Sequence, residues 1–154
     1  MYRFIFLVSL FLGVTRPANA EDYSVHLSAH GASLATLTFG TVELYGELAS
    51  SLQKQIHDGQ YVAARALGVA NTLKITADEM RKIISAGQAG NSISSLKNFI
   101  SLLEALQLQG EALSRYAMTK DSNQATVFRQ LHKDNWDKVS ALLKFTDDLK
   151  EVLR

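Results

Sequence analysis

Val62, Ala66, Val69, Leu73, Thr76, Met80 and Ile83 are spaced alternately by four and three residues through the segment 60–86, QYVAARALGVANTLKITADEMRKIISA. That spacing puts all of them on one face of a single α-helix, because 3.6 residues complete a turn. Within it Thr76-Ala77-Asp78-Glu79 has the form of a capping box, which would start a new helix. The apolar seam runs through Thr76 unbroken, so one helix ending near Ala86 is expected, with Gly87, Gly90 and Asn91 closing it.

The segments on either side are built to cover such a stripe. Upstream, Leu27, Leu34, Leu37, Leu44, Leu48 and Leu52 share a face, with Tyr45 and Ile56 beside it. Asp58-Gly59 is expected to end that helix, with glycine in the left-handed position past its last turn. Ser28, Ala32, Thr36 and Gly40 form a ridge of small residues, and Ala63, Ala66, Gly68 and Ala70 supply a second. Two such ridges allow close helix–helix approach, which would account for glycines inside helices.

Downstream, Ser92 is an N-cap for a third helix whose stripe is Leu96, Phe99, Leu103, Leu106, Gly110, Leu113 and Ala117. Asp121 or Ser122 caps a fourth, with Phe128, Leu131, Asn135, Val139, Leu142, Thr146, Leu149 and Leu153 facing inward. Asn135 is a polar residue in an apolar seam, a device that fixes register at some cost in stability. The one proline is Pro17, near the N-terminus, and the connections are short. The fold expected is therefore an all-α, antiparallel up-down-up-down four-helix bundle.

Arg3, the apolar run from Phe4 to Val14 and the ending Ala18-Asn19-Ala20 are the three parts of a secretory signal peptide. The run is about half the roughly 20 apolar residues a membrane span needs. Residues 1–20 are expected to be removed, leaving 21–154 as one domain in the periplasm or secreted, without membrane insertion. Loss of Arg3 and Arg16 takes the formal charge from +1 to −1. Such balance provides no electrostatic attraction for nucleic acid. The chain has no cysteine, which excludes disulfides, thiolate metal sites, c-type haem attachment and cysteine nucleophiles. Acids predominate over 21–60 and bases over 61–120, a complementarity expected to be met between neighbouring helices.

Bundle topology would gather His57, Tyr61, Tyr116, Met118 and His132 at one pole, and His26, His30 and Met80 at the other. His57, Met118 and His132 form one candidate metal set, and His26, His30 and Met80 the second, since imidazole and thioether together suit copper or haem iron. No Glu-x-x-His pair, nucleophile elbow or glycine-rich phosphate loop accompanies them. No cofactor is expected, and the chain is read as non-enzymatic. Helices three and four carry apolar residues beyond one inward stripe: Leu102, Leu108, Trp136, Phe145 and Val152. These point to binding of a protein partner or to self-association. The function expected is thus an exported bundle acting by protein–protein contact. A periplasmic metal- or haem-binding bundle is the alternative.

Overall fold

The computed structural model describes the backbone over residues 20–87 and 93–152, and the side chains over 33–87 and 93–142. The expected signal peptide, apart from Ala20, lies outside the described residues, as do Gly90, Asn91 and the Ser92 cap. The described chain is all-α: α1 is Ala20–Gln53, α2 Gly59–Ser85, α3 Ile93–Thr119 and α4 Ser122–Val152. No strand occurs among the described residues. None of the described helices is long and apolar enough to cross a membrane.

The turn after α1 differs from expectation. The left-handed residue is Gln55, at φ 56°. The amide of Ile56 donates to the Ser51 carbonyl and that of Gln55 to Leu52, the paired bonds that close a helix end. Gly59 instead opens α2, and Asp58 caps it, its carboxylate accepting from the Tyr61 amide at 2.7 Å. Glycine is needed there for another reason: a β-carbon on Gly59 would collide with the Ala117 carbonyl. The start of α2 is pressed against the last turns of α3.

α2 runs without a break through Thr76, whose hydroxyl donates back to the Thr72 carbonyl at 2.9 Å. It closes on Ala86 and on Gly87, at φ +70°. α4 is capped by Asp121, which accepts from the Asn123 amide at 2.8 Å.

α2 packs most extensively on α3, α4 lies against α3 and α1, and the α1–α2 contact is the thinnest. The core falls into two clusters along the helices. One joins Tyr45, Leu48, Leu52, Val62, Ala66, Leu113 and Phe128. The other joins Val42, Leu73, Ile100, Leu103, Leu106 and Val139. Each fully buried Leu or Val contributes about 1.5–3 kcal/mol relative to exposure.

Two stripes are rotated from their expected centres. On α2 the deepest positions include Ala63, Ala66, Ala70, Leu73 and Ala77, while Val69 and Thr76 move to the flank. On α1 Ala35, Thr38, Val42, Tyr45 and Ala49 are buried, and Leu34, Leu37 and Leu44 stand at the edge. On α2 small side chains occupy the line of closest approach and larger ones flank it, as dense packing requires. Gly40 and Gly68 take no part, for a β-carbon on either would meet nothing within 4 Å. The close approaches are at Gly46, Gly59 and Gly110.

Candidate functional site

Midway along α3 and α4 the apolar core gives way to a polar layer. Gln109 is 0% exposed and Asn135 is 1% exposed. The Asn135 side-chain amide donates to the Ala105 carbonyl at 3.0 Å and to Gln109 Oε1 at 2.9 Å. Gln109 Nε2 stands 2.9 Å from His132 Nδ1. A backbone carbonyl can only accept, so Ala105 fixes which way Asn135 points. Asn135 then fixes Gln109, whose NH2 group must donate to His132. The imidazole is therefore neutral, with Nδ1 bare and its proton on Nε2. Burial pushes the His132 pKa below its ordinary 6.5.

His132 also joins a run of rings. Its centroid lies 5.6 Å from Phe128 and 6.2 Å from Trp136, and Trp136 lies 5.2 Å from Phe39 on α1. Gly46 makes room for the imidazole, since a β-carbon there would sit 3.2 Å from Cε1. Close by in the core, Tyr45 is 0% exposed and its hydroxyl has no hydrogen-bond partner. Burial, with Glu111 as a lesser cause, raises its pKa far above 10.0. The hydroxyl lies against Gly110, where a β-carbon would overlap it and would come 3.0 Å from the Ala66 carbonyl.

The expected metal-ligating residues fall in separate settings. His57 is exposed in the α1–α2 loop, its ring 4.4 Å from that of Tyr61. Met118 is 59% exposed, and His132 is part-buried and held by Gln109. Met80 packs on the second core cluster. His26 and His30 lie on α1, with side chains outside the described residues. Among the described residues no group of three or more His, Asp or Glu is arranged to hold a metal.

The expected interaction residues divide as well. Leu102 packs against the second core cluster. Leu108 is 52% exposed, and Trp136 is 39% exposed while tilted against Phe39. Phe145 and Val152 lie on α4, with side chains outside the described residues. Sequence reasoning missed exposed apolar residues on α2, Leu67 and Ile75, because one inward stripe absorbed attention on that helix. It also missed Gln109, although its position three residues after Leu106 and four before Leu113 was a usable signal. Among the described side chains, no ion pair joins α1 to α2. Glu43 and Glu47 form no ion pair with Arg65 or Lys74, whereas Arg81 pairs with Asp78 on its own helix and with Glu104 on α3. A groove of about 300 Å³ lies over Ile84 and Ile100, rimmed by Arg81, Lys97 and Glu104.

Compared with known proteins, the chain matches no family model, no curated protein and no solved structure.

Proposed function

We propose that this chain is an exported, non-catalytic helical bundle that acts by protein–protein contact in the bacterial periplasm or outside the cell. Residues 1–20 act as its signal peptide, and its helices alternate in direction, up-down-up-down. Alternation is supported by the order of neighbours. Gly59 adjoins Ala117, Ala66 adjoins Gly110 and Arg81 pairs with Glu104, so rising numbers on α2 meet falling numbers on α3. On α1 and α4, Phe39 adjoins Trp136 and Gly46 adjoins His132 in the same opposed sense.

The observation that carries the functional reading is the apolar exposure on the outer side of α2 and α3. Leu67 is 43% exposed, Leu108 is 52% exposed and Ile75 is 62% exposed. The Ala66–Gly110 contact sets Leu67 and Leu108 at one level on adjacent helices. Ile75 lies eight residues farther along α2 and about 80° farther round it at roughly 100° per residue. Exposed apolar side chains on neighbouring helices are anchors for contact with a second molecule, and such an anchor contributes about 1 kcal/mol or more.

The test is substitution of Leu67 and Leu108 by Glu, followed by sedimentation and thermal melting. Lost assembly or partner capture with an unchanged melting temperature supports the reading. Loss of stability with no binding defect counts against it.

A further inference from the structure

In the polar layer one arrangement sets each bonded donor against an acceptor, although it leaves Asn135 Oδ1 without a partner, and that arrangement excludes a charged imidazole. Protonating His132 would place an N–H at Nδ1 facing the NH2 group of Gln109, 2.9 Å away. Turning Gln109 over would relieve that clash but bring its NH2 group against the amide of Asn135. Turning Asn135 in response would set its oxygen against the Ala105 carbonyl, which accepts the present bond at 3.0 Å. The conflict can be moved along the chain of amides but not removed, and Gln109 and Asn135 are too deeply buried for water to resolve it.

We propose that Gln109, His132 and Asn135 form an acid-sensitive latch: protonation of His132 loosens α4 from α3 and from the Gly46 face of α1. The three residues join α3 to α4, while the imidazole edge lies on Gly46 of α1. One protonation therefore acts on both contacts of α4.

The charged groups around the imidazole divide in sign. On α1, the exposed Glu43 and Glu47 lie near Gly46 in sequence and carry the sign that favours an imidazolium. On α4, the exposed Arg129 and Lys133 carry the opposite sign. On α3, Glu111 is held by Arg115 at 3.1 Å. The Phe128 and Trp136 rings also favour a cation. None of these supplies the hydrogen-bond acceptor that Nδ1–H would need, so the neutral ring is preferred in the folded bundle. Burial of the ring also holds the folded pKa below the ordinary 6.5. Stability held by this group is then present above about pH 6.5 and lost as pH falls from there through the folded pKa.

The experiment is a proton NMR titration of His132 with thermal melts between pH 7.5 and pH 4.5, on wild type and on His132→Gln. Glutamine can accept from Gln109 but does not titrate. Wild type should lose at least about 3 °C in melting temperature more than the variant over that range. Emission from Trp136, the sole tryptophan, should shift with the same midpoint as the His132 resonance. If His132→Gln does not fold, the wild-type titration still decides the matter. A His132 midpoint at or above 6.5, or an equal acid loss in the variant, would overturn the latch.

Discussion

Replacing Tyr45 by Phe should stabilise the protein. The side chain is fully buried, its hydroxyl has no partner, and its pKa is raised by desolvation, all consequences of one polar atom held out of water. A buried hydroxyl without a hydrogen bond costs about 1–3 kcal/mol. Removing the oxygen leaves a gap beside Gly110, and the packing lost across it returns part of that gain. A net increase of about 0.5–2 kcal/mol is expected, roughly 2–6 °C in melting temperature for a domain of this size. Urea denaturation of both proteins would give the difference, with an unchanged slope showing that the unfolded state is the same. Gly110→Ala provides the converse, because its β-carbon would overlap the hydroxyl and approach Ala66. It should destabilise by about 1–3 kcal/mol, and combination with Tyr45→Phe should recover part of the loss. Recovery would be incomplete because ring carbon Cζ also lies only 2.7 Å from the β-carbon position. A Tyr45→Phe protein less stable than wild type by 1 kcal/mol or more would refute the reasoning, since the hydroxyl would then have a partner.

Other substitutions probe the frame. Leu103→Asp, at a site 5% exposed in the second core cluster, should cost several kcal/mol, about 3 or more, by burying an unpaired charge; a melt within a degree of wild type would place Leu103 outside the core. Asp58→Ala should lower stability by about 1 kcal/mol through loss of the α2 cap, measurable by the same denaturation series. Gly59→Ala should cost more than the cap variant, since the Ala117 carbonyl obstructing it is backbone and cannot rotate away. Mass spectrometry of exported protein should find Glu21 as the first residue, whereas retention of Phe4–Val14 would contradict cleavage.

Much of the helix architecture was legible because periodicity survives in any register. The α3 stripe through Leu103, Leu106, Gly110 and Leu113 is buried as its spacing implies, and so is Asn135 in the α4 seam. The rotations of α1 and α2 were less legible, because hydrophobic spacing ranks Val69 above Ala70. Packing does the reverse where two backbones come close. The exchange of roles between Gln55 and Gly59 depended on a tertiary contact with Ala117, which no local rule for helix ends contains. Asn135 was identified, but its partners were not. Gln109 is adjacent to Asn135, and to His132 three residues earlier on the same helix, only through the α3–α4 register, and donor direction follows from the Ala105 carbonyl rather than from residue type. Of the candidate metal residues, His132 turns inward toward Gln109 while His57 stays at the surface, a difference that residue type does not carry.

Sedimentation velocity on wild type and on the Leu67→Glu/Leu108→Glu protein, each with its melting curve, tests the proposed contact most directly. The account predicts that wild type forms a larger species, with itself or with a partner added back from the same envelope fraction. The double variant should remain monomeric and melt within about 2 °C of wild type, as surface substitutions do. Identical assembly by both proteins, or a wild type that stays monomeric in the presence of that fraction, would contradict it.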